Sequence, residues 1–378
     1  MLPERNSLKR IVNRVQNRNR PPNPKSMRGI ELPLQYTVTK RGEPFLMHDS
    51  GSEDEERILL FSTEENVRYL SASSTSLCDD TFKTAPTQFT QLFTVHGLVS
   101  GYPVPLVYAL TTRKREETYR SIYKTIIGFA QEKNCSINPS LCMMDFEMAN
   151  MNAIRSVLPN AQIKGCLFHF SRSIWRGISS SGQTRCYREW GNSTRTCAFM
   201  LFDLPFVPVE NVAETFDFIS EQADVNLDDL IDYVERTYVT GRRGRPPIFP
   251  PEVWNVYRAT LNDQHRTNNA VEGWHNKFQK LMVVHHPSIW KFIEVLKDEQ
   301  EDNEQVITQI LGGHRQIRPS VPRRYLLSQM RIVEVVRNYA TYKANSQMDV
   351  YLKAIACHLK YNPPEQDDEE HQDYNRST

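Results

Sequence analysis

Two adjacent acids, Asp79 and Asp80, close an apolar run in Leu77–Pro86, LCDDTFKTAP. A second apolar run, CMMDFE, ends in the same way with Asp145 and Glu147. Open sheets collect ligands in the crevice beyond their strand ends, so acids in those places are well set for a divalent cation. Alternation sends Asp79 and Asp80 to opposite faces, so only one of them can share a face with Asp145. Asp145 and Glu147 share a face only if their strand continues. A third acid, Glu272, lies in TNNAVEGWHNKFQKLM, off the apolar stripe of Val271, Trp274, Phe278 and Leu281. Its first-turn position suits a helix dipole, and Asn269-x-x-Glu272 also has the spacing of a capping box, which would give Glu272 a purely structural task. Three carboxylates of this kind are hard ligands for Mg²⁺ or Mn²⁺. A pair of such ions can activate a water or 3′-hydroxyl and stabilise the leaving oxygen in a phosphodiester displacement.

The surrounding sequence predicts the elements that would position these acids. RILLFS and SLCDDTF read as strands, and FTQLFTVHGLV and VPLVYALTT as an antiparallel pair around the turn residues SGYP. In REETYRSIYKTIIGFAQEK, apolar residues recur from Tyr119 to Ala130 every three to four positions, the period of an amphipathic helix. SLCMMDFE and QIKGCLFHF read as strands, each followed by a helix, MANMNAIRSVL and FSRSIWRGI. The order β-β-β-α-β-α-β-α predicts a mixed sheet with helices on its faces. The strand signal fades between about Ser179 and Asn262, where VPVENVAETFDFISEQ and LDDLIDYVERTYV read as helices; helices continue to about Tyr361.

A chain of 378 residues with 39% hydrophobic and 24% charged residues can build a sizeable core in more than one structural unit. No apolar run is long enough to span a bilayer, and the polar, basic start is no signal peptide. Seven scattered cysteines point to a reducing compartment. The net charge of +1 hides an asymmetry. Met1–Arg28 holds eight basic residues, Lys9 and Arg10 among them, against the single acid Glu4, whereas PPEQDDEEHQDYNRST is strongly acidic. A basic head suits a polyanion or a solvated arm equally; an acidic tail suits disorder.

Two further features carry chemistry. Cys166-x-x-His169 has half of a zinc-ligand spacing, with His265 and His275 as reserves for the rest; a core thiol is the plainer reading of Cys166. GRRGRPP, with Arg242, Arg243 and Arg245, resembles an AT-hook core that lays arginines into a narrow minor groove, or is a solvated basic loop.

Together these blocks resemble the Mutator-like (MULE) transposases. CDDTF resembles their D-G-T-F strand, DFEMANMNAI their second-acid block, GCLFHFSRSIW their C-x-x-H block and RTNNAVEGWHNKF their third-acid helix, over roughly Leu34 to Tyr361. The resemblance implies an α/β ribonuclease-H-like mixed β-sheet with flanking helices, interrupted by an all-helical insertion and followed by C-terminal helices. It implies a D-D-E site of Asp79, Asp145 and Glu272 binding two Mg²⁺ or Mn²⁺ ions, with Zn²⁺ at the C-x-x-H block as a secondary candidate. Asp80 stands where the family usually has glycine. The expected substrates are the terminal inverted repeats of an element and target DNA, handled in the nucleus by a homo-oligomer assembled on DNA, with no membrane partner. A host-retained DNA-binding protein without strand-transfer activity is the alternative. Relatives often carry an N-terminal zinc finger; no Cys/His cluster precedes Cys78, so the chain either lacks that module or is truncated. The expected divisions are 1–56 (basic arm and linker), 57–178 (first part of the catalytic domain), 179–262 (helical insertion with the basic loop), 263–290 (third-acid helix), 291–362 (C-terminal helices) and 363–378 (acidic tail).

Overall fold

A computed structural model of the chain describes residues 20–189, 191–313 and 323–359; Lys9, Arg10 and the tail at 363–378 lie outside them. Seven strands form one mostly antiparallel sheet: β1 (Leu46–Asp49), β2 (Ile58–Phe61), β3 (Thr75–Thr81), β4 (Gln91–Val99), β5 (Tyr102–Thr111), β6 (Leu141–Met144) and β7 (Gln162–Gly165). Their order across the sheet is β1-β2-β5-β4-β3-β6-β7. The β4–β5 hairpin closes Val99 against Tyr102. Ser100 (φ 48°) and Gly101 (φ 82°) are both left-handed, the turn geometry that matches the twist of paired strands. Strand β3 runs antiparallel to β4, with Asp79 opposite Thr94 and Asp80 opposite Phe93.

The helices used below are α1 (Glu64–Ala72), α2 (Glu116–Glu132), α3 (Met148–Val157), α4 (Leu167–Ser180), α5 (Ser193–Asp203), α6 (Val212–Ser220), α7 (Asp228–Val234), α8 (Asn269–Met282), α9 (Ile289–Leu311), α10 (Arg323–Arg337) and α11 (Met348–Ala356). No helix among the described residues is long and apolar enough to cross a membrane.

The chain divides into two compact units, each gathered from separate stretches. The first comprises Met1–Cys142, Glu147–Gln162 and Ala270–Ile317. One face of its sheet meets α2, whose Tyr119, Ile122, Tyr123 and Ile126 form the stripe the sequence predicts. On the other face Trp274, Phe278 and Met282 of α8, with Phe292, Ile293 and Leu296 of α9, share a core with Phe61, Leu92, Tyr108 and Leu110 of the sheet. Polar bonds fix α9 in register: Asn66 Nδ2 donates to Gln300 Oε1 at 2.9 Å and Asn303 Nδ2 to the Tyr108 hydroxyl at 2.8 Å.

Several sequence expectations change here. The stretch read as arm and linker contains β1, and its Ile30, Tyr36 and Phe45 are core residues. EENVRYLSA, unassigned in the sequence reading, is helix α1: Thr63 caps it by accepting from Asn66 N–H, and Val67 and Leu70 turn inward.

The second unit comprises Met143–Phe146, Ile163–Asn269 and Arg318–Thr378. Its centre is aromatic. The Trp254 ring stacks on Phe170 at 4.9 Å, its Nε1–H donates to the carbonyls of Tyr238 and Phe249, and Phe146 packs edge-on to Tyr238 and Phe249. The C-terminal helices belong to this unit too. The Tyr351 hydroxyl of α11 donates to the Phe206 carbonyl at 2.5 Å, and Lys343 pairs with Glu214 of α6 at 2.7 Å.

Candidate active site

Strand β3 delivers its two acids to opposite faces, as alternation requires. Asp79 points toward α8. Its side chain is 8% exposed, Oδ1 accepts the Asp80 N–H at 3.0 Å, and Oδ2 lies 4.0 Å from His275 Nε2. Thr94, opposite on β4, donates its hydroxyl proton to the Asp79 carbonyl at 3.3 Å. The same hydroxyl lies 3.3 Å from His275 Nε2 and 3.2 Å from His96 Nε2, so it links both rings to Asp79. Burial drives the His275 pKa down to about 4 against a weak upward pull from Asp80, so the ring is neutral near pH 7. Glu272 precedes His275 by one helical turn on α8, about 4.5 Å along the axis. Within the first unit, therefore, the Glu272 helix lies against the Asp79 strand. The same helix is tied to α9: Trp274 Nε1–H donates to Glu299 Oε1 at 2.8 Å, and Lys277 adds an ion pair to Glu299 at 2.9 Å.

Asp80 faces the other way, on the side where Phe93 meets Tyr119 and Tyr123 of α2. Its Oδ2 lies 2.6 Å from Lys114 Nζ, and the same ammonium reaches Glu147 Oε2 at 3.2 Å and sits 4.9 Å from the Phe82 ring centroid. Glu147 Oε2 also accepts the Tyr119 hydroxyl proton at 2.8 Å, and the Tyr119 hydroxyl oxygen in turn accepts from Gln91 Nε2 at 3.1 Å. The Asp80, Lys114 and Glu147 side chains are 9%, 16% and 19% exposed, so the two carboxylates share one nearly enclosed cation. Sequence reasoning missed Lys114, because a lysine two residues before a helix carries no local signal of its distant partners. It also expected Glu147 on a strand shared with Asp145; the strand stops at Met144, and Glu147 instead stands at the N-cap position of α3.

Asp145 is half-buried in the second unit, directly after β6. The backbone around it is fixed by Cys166 N–H donating to the Met144 carbonyl at 2.8 Å. Gly165 matters here: a Cβ on it would stand 2.4 Å from Phe146 Cζ. The expected strand over QIKGCLFHF is corrected, since β7 ends at Gly165, Cys166 is an N-cap and α4 begins at Leu167. The physical reason is periodicity, because Leu167, Phe170, Ile174 and Ile178 are buried at helical spacing. Cys166 Sγ is fully buried and accepts the Asn268 N–H at 3.3 Å; His169 lies in the first turn of α4 and His265 is exposed.

Among the described residues no three His, Cys, Asp or Glu side chains form a group able to hold a metal ion. The chemistry of the donors still suits a hard divalent cation: Asp79, Asp145 and Glu272 offer carboxylate oxygens, and the ring beside Asp79 is neutral. Asp80, by contrast, already has a resident ammonium.

The basic loop is a tight turn. Arg242 and Arg245 exchange backbone bonds at 3.2 and 3.1 Å, with Arg243 (φ 52°) and Gly244 (φ 75°) at the tip. Arg242 pairs with Asp232 at 2.9 Å, and Arg243 and Arg245 are exposed. Gly241 makes the turn possible, because a Cβ there would lie 2.0 Å from the Arg245 carbonyl oxygen.

Residues 75–173 match the family model of the MULE transposase domain. That stretch runs from β3 to α4 and includes Asp79, Asp145, Cys166 and His169. It supports the Mutator-like family and, with it, a transposase-type function that implies interaction with DNA. No curated protein matches the chain.

Proposed function

We propose that this protein is a MULE-type DNA transposase whose ribonuclease-H-like catalytic domain cuts and joins DNA strands in the nucleus as a homo-oligomer on element ends. The observation that carries the reading is the contact of His275 with Asp79 at 4.0 Å, which lays the Glu272 helix against the Asp79 strand beside the family match. Asp79, Asp145 and Glu272 would hold two Mg²⁺ or Mn²⁺ ions, whose bound charge would stabilise the attacking and leaving oxygens of an in-line displacement. The remaining work belongs to the chain itself. Neutral His275 and Thr94 fix the carbonyl and carboxylate ends of Asp79 without adding charge. Lys114 holds Asp80 away from Asp79, so the departure from the family's glycine leaves Asp79 as the strand's ligand. Zn²⁺ at Cys166 and His169, completed by His265 and His275, is a secondary proposal.

The test is cleavage of end-bearing DNA by purified protein with Mn²⁺. Wild type should cut and Asp145→Asn should not; equal cutting by both overturns the reading. The second reading, a host-retained DNA-binding protein, is favoured by Asp80 and its ammonium. It expects salt-sensitive binding that survives Asp145→Asn and Glu272→Gln, with basic contacts from Lys9, Arg10, Arg242, Arg243 and Arg245.

A further inference from the structure

The loop between α8 and α9, Val283 to Pro287, carries backbone strain that no burial offsets. Val283 has φ 67° and His286 φ 48°. For a β-branched residue the left-handed region is an outlier that costs about 1–2 kcal/mol. Yet Val283 is 78% exposed, Val284 52% and neighbouring Leu281 41%. The loop is held by the segment just past β3: His286 N–H donates to the Lys83 carbonyl at 2.9 Å, and His286 Nδ1 lies 3.2 Å from the Ala85 carbonyl oxygen. Buried Met282 and Ile289 anchor its two ends in the core. Two apolar side chains are thus presented to solvent from a fixed frame, tied to the chain a few residues beyond Asp79.

The sequence flanking this tip carries charge of one sign. No acid occurs between Glu272 and Glu294, while Lys277, Lys280 and Lys291 do, and neither Phe82–Gln91 nor the loop itself contains an acid. Lys280 and His285 are exposed. Lys277 is engaged by Glu299 on α9, which leaves Lys280, before the tip, and Lys291, after it, as the nearby lysines in sequence. An apolar tip flanked by such cations fits a duplex, where the cations meet phosphates and the tip enters a base step that it unstacks.

Resting on the DNA-processing reading, we infer that Val283 and Val284 form a wedge that inserts between base pairs of duplex DNA bound at the Asp79 end of the sheet. The wedge opens the helix locally where a strand must leave the stack to reach the acids. Its test is plasmid unwinding: protein on a relaxed closed circle in EDTA, which removes divalent ions and so prevents cleavage, followed by a metal-independent topoisomerase. Wild type should shift the linking number. The Val283→Gly/Val284→Ser double variant should lose the shift at protein concentrations where a mobility assay shows both saturating the plasmid. Glycine accepts φ 67° freely, so the variant keeps its fold, checked by an unchanged or higher denaturation midpoint. Binding by wild type without a shift, or a shift retained by the variant, overturns the wedge alone. Wild type that does not bind at moderate salt overturns the wedge and the DNA reading together.

Discussion

A carboxylate next to a carboxylate is tolerable only if something divides them, and at Asp79 and Asp80 the division has two parts. The pleat separates their directions, and Lys114 compensates one of them. Lys114→Met removes the ammonium that Asp80 and Glu147 share. It should cost about 2 kcal/mol, below the value for a fully buried pair because all three side chains keep some solvent. Adding Asp80→Asn should recover about 1 kcal/mol of that, a coupling that urea denaturation of the four chains measures. Glu299 offers a test with a defined sign. Burial raises its pKa above the ordinary 4.5, against the opposing pulls of Lys277 and Trp274. The native protein therefore keeps this proton after the unfolded chain has released it, and stability from this group is complete below pH 4.5 and is lost as pH rises through the folded value. Since Gln cannot titrate, the stability of wild type relative to Glu299→Gln should fall as pH rises from below 4.5, which paired denaturation curves across pH would show. A flat difference would mean that Lys277 and Trp274 fully offset the burial.

At the scale of elements, the site rests on close approaches that small residues permit. Gly165 ends β7 under the ring of Phe146, and that ring is wedged against Phe170, Tyr238 and Phe249. Gly165→Ala therefore has no flexible neighbour to displace and should cost about 1–3 kcal/mol in denaturation, moving the backbone that bears Asp145. The elements also show which patterns a single sequence exposes. The Tyr119–Ala130 stripe and the SGYP hairpin were legible because their patterns are clean. The α8 stripe was legible only at Val271, Trp274 and Phe278, since Met282 and His275 turn inward while Leu281, expected in the core, is 41% exposed. The run at Cys166 was not, since aromatic and aliphatic residues in LFHF carry strand propensity, and only the burial period further along decides for a helix. The α1 helix was hidden by its length: nine residues with few apolar positions give little signal.

At the scale of the whole molecule, the acids at Asp79, Asp145 and Glu272 could be picked out from the chain because each ends a strand or opens a helix. What could not be read was their company. Thr94 reaches Asp79, Lys114 reaches Asp80 and Glu147, and Glu299 reaches Trp274 across the fold, and no spacing along the chain records such meetings. The division of the chain was also only partly visible. The sequence reading parts the helices after 262 at residue 290, whereas α8 and α9 both belong with the first unit and α10 and α11 with the second. That weaving has a practical consequence for anyone trimming the protein. The stretch from Ser179 to Asn262 resembles a cassette that could be lifted out, but its removal would strip the seat from under Ile332, Val336, Leu352 and Ile355, all fully buried in the intact chain. A shortened version ending before Arg323 would bare the opposite half of the same joint. Neither cut yields a self-contained core; both leave greasy surface where the other strand of the weave used to lie.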